Sequence, residues 1–461
     1  MFSKQGNLLY WLLYHGIYTL LPGCILLLFS SGLRGQPKDP VDTATSLTLE
    51  QCIAYAFKNQ PALNQAMLNE KIVKLTNDIN LSAWYPQIYG NASVTHYLKL
   101  PESYVSNTSN PGSAPVLTTS GVKNSVVPSL SVTQNIFSPS LVYAAKSAPL
   151  YIKQAQQATD TSKINLVAVV SKAFYALLLT LKQIETLKED TVRLSRSLYD
   201  AYHQYVGGIV DETDYQQANI TLNNSRASLR QAYENIRPQY AILKQFMGFD
   251  SKNDFNVIFD TTRMKEELAF DTAQQLDFEK RIDYQLLQTT KQLQEQTVKY
   301  YKWAWLPTLS GSFSYDLSFI NNSTSQLFKA AYPYSYTGLT MSIPIFTGFS
   351  RIKNLQRARL QEKVIDWDAV NLKLQIYTDY TTALASYNGN LYNMQVLREN
   401  VEMARRVYFV VDLQYKQGIV AYLNVITAEA NLISSEINYI NALFQVLSSK
   451  IDLKKAMGIL Y

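Results

Sequence analysis

Residues 305–319 read Trp305-Leu306-Pro307-Thr308-Leu309-Ser310-Gly311-Ser312-Phe313-Ser314-Tyr315-Asp316-Leu317-Ser318-Phe319. After Pro307 the stretch alternates. Leu309, Gly311, Phe313, Tyr315, Leu317 and Phe319 fall on one side, and Ser310, Ser312, Ser314, Asp316 and Ser318 on the other. A period of two is the signature of a strand with two unlike faces. Leu339, Met341 and Ile343 against Thr340 and Ser342 repeat the pattern, which predicts a hairpin over about 307–346. A half-buried soluble sheet is the ordinary meaning of such strands. Here, though, the flanking sequence offers no helix free to cover the apolar side.

The stretch has a counterpart 221 positions earlier, Trp84-Tyr85-Pro86-Gln87-Ile88-Tyr89-Gly90. The same offset relates Gln60-Pro61-Ala62-Leu63 to Arg281-Ile282-Asp283-Tyr284. Leu130–Phe137 matches Leu339–Phe346 at an offset of 209, and Tyr205–Val210 matches Tyr415–Val420 at 210. Met247-Gly248 matches Met457-Gly458, again at 210. The chain is therefore two copies of one unit, and such long-period self-similarity outranks local pattern in deciding a fold. The reading gives a first copy over 33–249 with a hairpin at about 86–137, a linker over 250–267, and a second copy over 268–461. The shorter offset beyond Pro86 places about 12 extra residues in the first hairpin. They fall in Pro101–Asn124, a Ser-, Pro-, Asn- and Gly-rich stretch expected to be a longer loop.

Each copy also carries a long helical pattern. Ile184, Leu187, Thr191, Leu194, Leu198, Ala201 and Tyr205 step by threes and fours, as do Met394, Leu397, Val401, Ala404, Tyr408, Val411 and Tyr415. This is a coiled-coil seam. It predicts helices over about Leu141–Val206 and Arg351–Lys416, each roughly 100 Å long at 1.5 Å per residue. Gly207-Gly208 and Gly418 are expected to end them. Return helices then run to Met247 and Met457, with Pro238 expected to kink the first.

Composition narrows the chemistry. Charged residues are 17% of the chain, the net charge is +6, and there are 33 tyrosines against 18 phenylalanines and 5 tryptophans. No Lys/Arg block suggests nucleic acid. Mean hydropathy, −0.12, is too low for a helical protein with many membrane spans. The three histidines are scattered, and the cysteines are Cys24 and Cys52 alone, so no metal site is expected. There is no Gly-rich phosphate loop and no Gly-x-Ser-x-Gly elbow. An enzyme is not expected, nor a cofactor. Lys4, the apolar run Leu8–Phe29 and the small residues Ser30-Ser31-Gly32 read as a signal peptide over 1–32. Leu21-Pro22-Gly23-Cys24 is a faint lipidation motif, and the apolar run continues past Cys24.

The expected fold is an α+β membrane protein with long antiparallel coiled-coil helices and four strands. Four strands cannot close a barrel, and a two-faced sheet cannot stay open in lipid. Three chains contributing twelve strands solve both problems. Small polar side chains would then line the lumen, while tyrosines and aliphatics faced lipid. The helices would continue the tube as an α-barrel.

The duplicated Pro-strand-strand-Phe unit and the Tyr-x-x-Gly helix ends resemble the TolC family of outer-membrane efflux ducts. So does the opening Leu47-Thr48-Leu49-Glu50-Gln51-Cys52-Ile53, leading to Asn59-Gln60-Pro61. The resemblance covers nearly the whole chain after residue 32. It implies a homotrimer in the outer membrane that extends into the periplasm. Its partners would be the lipid bilayer, a periplasmic adaptor and an inner-membrane pump of the RND, ABC or MFS kind. It also implies a gate at the periplasmic tip, where an acid pairs with the second tip's Tyr; here these are Asp214 and Tyr415. Val420 stands where the resemblance has an Arg, and Asn424 and Thr427 stand at its acidic constriction. Asp211 and Glu212 keep the first tip acidic; as acids at a helix start they also suit the helix dipole and cap. Gly207, Gly208 and Gly418 are expected to be turn and adaptor-docking positions. The alternative is a trimeric adhesive surface protein on a coiled-coil stalk, against which the antiparallel helix returns argue.

Overall fold

The computed structural model describes residues 46–105, 114–258 and 276–461. The predicted signal peptide, Cys24 and most of the predicted linker lie outside them. Asp254–Asn256 group with the N-terminal 45 residues as a separate small unit; everything below concerns Ser46–Asn253 and Val257–Tyr461.

Helix α1 (Leu49–Asn59) opens on a capping box. The Gln51 amide donates to the Thr48 hydroxyl at 3.4 Å, and the Thr48 amide donates to the Gln51 side chain at 2.9 Å. Helix α2 (Pro61–Ser82) follows, with proline at its start. Strand β1 (Gln87–His96) leads through the short strands β2 (Glu102–Val105) and β3 (Val116–Thr119) to β4 (Asn124–Phe137). The expected loop Pro101–Asn124 is thus partly ordered, because β2 and β3 pair as an antiparallel ribbon. Helix α3 (Pro139–Val206) has 68 residues, and α4 (Glu212–Met247) returns alongside it. Helix α4 runs through Pro238 without a break. In the second half α5 (Ile282–Trp303) precedes the hairpin β5 (Thr308–Asn321) and β6 (Tyr332–Ser342). Helix α6 (Ser350–Lys416) has 67 residues, and α7 (Tyr422–Ala456) returns alongside it.

Burial follows the seam. Ile184, Leu187, Leu194 and Ala201 are buried on α3, and Met394 and Val401 on α6. The return helices close on the connections before the first helices of their halves. A Cβ on Gly248 (φ 66°) would meet the Asn59 carbonyl oxygen at 2.5 Å, and one on Gly458 (φ 72°) would meet that of Lys280 at 2.7 Å. Both turns therefore need glycine twice over, for the left-handed backbone and for the close approach. Helix α3 also holds a stretch apolar enough to cross a membrane, but 56% of that stretch is buried inside the protein. It is a core helix.

The four long strands form one antiparallel sheet in the order β1-β4-β5-β6, so β4 and β5 join the two halves. The outer helices follow the same plan, with α2 against α3, α3 against α5, and α5 against α6. The contacts include Asn77 Nδ2 donating to the Ala148 carbonyl at 3.1 Å, Gln154 to the Thr290 hydroxyl at 3.2 Å, and Gln294 to the Ala358 carbonyl at 2.8 Å. Sheet and helical layer thus share an arrangement: each is open, with a first-half element at one edge (β1, α2) and a second-half element at the other (β6, α6). Both helical edges carry apolar side chains at 3–4 spacing that the chain itself leaves exposed. These are Leu68, Ile72, Leu75 and Ile79 on α2, and Leu360, Val364, Trp367, Leu374 and Tyr377 on α6.

Candidate functional site

Two regions carry the residues of interest. One is the pair of helical tips, where α3 turns into α4 and α6 into α7.

The tips are built alike. The Gly208 amide donates to the Tyr205 carbonyl and that of Ile209 to Gln204; Gly418 and Ile419 repeat these bonds to Tyr415 and Gln414. Such paired bonds close a helix through a left-handed residue, here Gly208 at φ 68° and Gly418 at φ 71°. Nothing lies within 4 Å of a Cβ built on either. Gly207 differs: it keeps right-handed helical backbone (φ −76°), and its counterpart is Gln417. The turn needs the second glycine of the pair and not the first.

Tyr422, Val425 and Ile426 at the start of α7 are buried against Ala201 and Ala218 of the first tip, with Tyr415 beside them. The Tyr422 hydroxyl lies 2.7 Å from that of Ser197, and its ring sits 5.1 Å from that of Tyr415. The Tyr415 hydroxyl donates to the Gln204 side-chain oxygen. The expected partner was Asp214, but a hydroxyl has one proton and Gln204 takes it. Asp214 is half-buried, which raises its pKa, and Asp211 raises it further. Burial likewise pushes the Tyr415 hydroxyl up to about 12, with Tyr422 and then Asp214 adding to it. Asp211 occupies the N-cap position of α4 without a side-chain cap bond, and Glu212 accepts from Gln216 at 2.8 Å. Asn424 and Thr427 lie exposed and uncharged on α7, one turn apart. Beside the first tip's acids, Tyr205 stacks on Tyr215 with centroids 6.1 Å apart.

Farther from the tip lies a cluster that sequence reasoning missed. Arg193 on α3 donates to Glu429 on α7 at 2.9 Å, pairs with Asp190, and places its guanidinium 5.2 Å from the Tyr408 ring on α6. The Asp190 and Glu429 side chains are essentially inaccessible, and each keeps one carboxylate oxygen without a hydrogen-bond partner among the described residues. One cation thus serves two buried carboxylates. Burial pushes the Asp190 pKa up to about 6 and raises that of Glu429; Arg193 opposes both shifts. Only the Asp190–Arg193 spacing was visible in sequence, and Glu429 is brought in by the fold.

The second region is the polar face of the sheet. Directly paired residues share a face. Ser129 pairs Asp316, Ser131 pairs Ser314 and Thr133 pairs Ser312 across the joint between the halves. The expected small polar face is continuous there. The tyrosines depart from expectation. Tyr332, Tyr334 and Tyr336 pair Ser318, Asp316 and Ser314, and Tyr89 pairs Ser131, so all four stand on the polar face. Tyr315 alone of the expected strand tyrosines keeps company with Leu309, Leu339 and Met341 on the apolar face. The physical reason is register: Leu339 pairs Gly311, and stepping by twos from there leaves Tyr336 on the opposite face.

A duplicated chain with an open two-faced sheet, open-edged long helices and a pair of helical tips is a subunit of a membrane duct. The outer membrane efflux protein family matches residues 53–248 and 285–459, and the chain belongs to that family. It is accordingly an outer-membrane efflux protein, with its helical part in the periplasm. Solved structures with the same fold include the outer membrane protein VceC from Vibrio cholerae (TM-score 0.69, 16% identity, covering 89% of this chain and 96% of that one). Others are the CmeC outer membrane channel of Campylobacter jejuni (0.69, 17%, 90% and 86%) and the open state of the MtrE outer membrane channel of Neisseria gonorrhoeae (0.69, 17%, 89% and 89%). No curated protein sequence matches the chain significantly.

Proposed function

We propose that three copies close head to tail into a conduit, β6 of one chain pairing β1 of the next and α6 packing on α2. The observation that carries this reading is the shared edge order of sheet and helical layer. A β-sheet in lipid tolerates no open edge. One rotation that joins β6 to β1 also brings together the two exposed apolar stripes. Repeated heterologous contacts of this kind make a ring when the rotation closes. The polar face then lines a lumen and the apolar face meets lipid.

The conduit works with a periplasmic adaptor and an inner-membrane pump of the RND, ABC or MFS kind, and it exports small molecules or type I secretion substrates. The tips form its periplasmic gate: Tyr415 and Gln204 hold the two hairpins together, Asp214, Asp211 and Glu212 keep the entrance acidic, and Asn424 and Thr427 line it without charge. Gly208 and Gly418, with open space where a side chain would be, let an adaptor approach the backbone; Gly207 extends that surface. Planar-bilayer recording of the purified protein tests the reading: discrete ion-conducting steps are expected, and a folded trimer that never conducts would overturn it.

A further inference from the structure

The four long strands contain no Lys or Arg, and Asp316 is their only acidic residue. It stands on the polar face, directly across from Tyr334, with Tyr332 and Tyr336 two residues either side on the same strand. The three rings are 52–58% exposed, as is Tyr89 on the far edge strand, at 54%. None of this exposed aromatic surface is spent on the chain's own packing. The Asp316 carboxylate accepts one bond, from Ser314 Oγ at 2.8 Å, and no cation pairs with it among the described residues. A lone carboxylate without a counter-ion, bordered by ring faces, matches one ligand chemistry. A delocalised organic cation meets the charge and lays its apolar surface on the rings, where the tyrosine quadrupoles attract it as well. A small hydrated inorganic cation gains only from the carboxylate, and an organic anion is repelled.

We propose that Asp316, Tyr334 and Tyr336 form a binding collar for aromatic organic cations on the polar face of the sheet, with Tyr332 and Tyr89 extending its wall. The proposal rests on the reading that this face lines a lumen. In a closed ring of three chains, the collar repeats three times at one height. It gives the duct a resting place for such solutes well beyond the tip, and a selectivity that the uncharged Asn424 and Thr427 do not supply.

The test uses two probes of one shape and opposite charge, tetraphenylphosphonium and tetraphenylborate, in bilayer recordings of the whole reconstituted protein. The phosphonium is expected to block the current at about a tenfold lower concentration than the borate. D316N and the double variant Y334S/Y336S are each expected to raise the blocking concentration of the phosphonium about tenfold, leaving that of the borate unchanged. Unblocked conductance in potassium chloride reports that each variant is assembled. Equal block by the two probes, or phosphonium block unchanged in both variants, overturns the collar while leaving the duct reading intact. A protein that never conducts overturns the duct reading, and the collar with it.

Discussion

The hydroxyl of Tyr415, in the last turn of α6, donates to the side-chain oxygen of Gln204, in the last turn of α3. This bond joins corresponding ends of the two halves of a duplicated chain, and the buried ring of Tyr422 backs it.

Tyr415→Phe and Gln204→Leu each remove that bond. A hydrogen bond contributes about 1 kcal/mol, which is about fivefold in the ratio of closed to open tips. Both variants are expected to raise bilayer conductance or open probability. The double variant should add little to either single one, because one bond is lost in all three cases. Asp214→Ala removes only a neighbouring charge and should change conductance less. Conductance unaltered in both single variants would remove Tyr415–Gln204 from the gate.

The buried pair around Arg193 makes stability depend on pH. Asp190 has a folded-state pKa of about 6 against an ordinary value of 3.8, so the folded protein binds its proton more tightly than the unfolded chain does. Its contribution is fully present below about pH 4 and is lost as pH rises through about 6. Relative to Asp190→Asn, the wild-type melting temperature should therefore rise when pH is lowered from 7.5 to 5. Parallel melting curves for the two proteins across that range would contradict the assignment.

Gly248→Ala and Gly458→Ala place a Cβ 2.5–2.7 Å from a backbone carbonyl oxygen. Each is expected to cost more than the ~1–3 kcal/mol of a strained backbone alone. Gly208→Ala, at a similar φ but in open space, should cost only about 1 kcal/mol. Thermal unfolding in detergent should rank the variants in that order, and a Gly208 variant as unstable as the Gly248 variant would contradict the account.

The exposed stripes on α2 and α6 should matter only to assembly. Ile72→Glu/Ile79→Glu and Leu360→Glu/Leu374→Glu each remove aliphatics that bury about 1.5–3 kcal/mol apiece when covered. Either pair is expected to yield lower oligomers on native gels with unchanged helix content by circular dichroism. Oligomers of wild-type size from both would show that these faces are not the joint.

Much of the fold was legible because the chain states it twice. Pro86 and Pro307 mark the strand starts, Val206 and Lys416 end the long helices as read, and the seam from Ile184 to Tyr205 alternates too regularly to mistake. The rest depended on register and tertiary placement. Tyr332, Tyr334 and Tyr336 alternate as cleanly as Leu339 and Met341 do, and counting aromatics as apolar put them on the wrong face. Only the pairing of Tyr334 with Asp316 corrects this. Gln204 is an ordinary polar residue in sequence, and nothing there distinguishes it from Gln414, its counterpart. The ribbon within Pro101–Asn124 was hidden by turn-forming residues around two very short strands. Asp190, Arg193 and Glu429 looked like solvated helix charges because their burial comes from an element 236 residues away.

Head-to-tail closure is the claim on which the lumen, the gate and the collar all depend. Native mass spectrometry of the protein released from the outer membrane in detergent measures it directly. The account predicts one dominant species of three chains, each of the mature mass. A monomer, a dimer or an open series of sizes would contradict it.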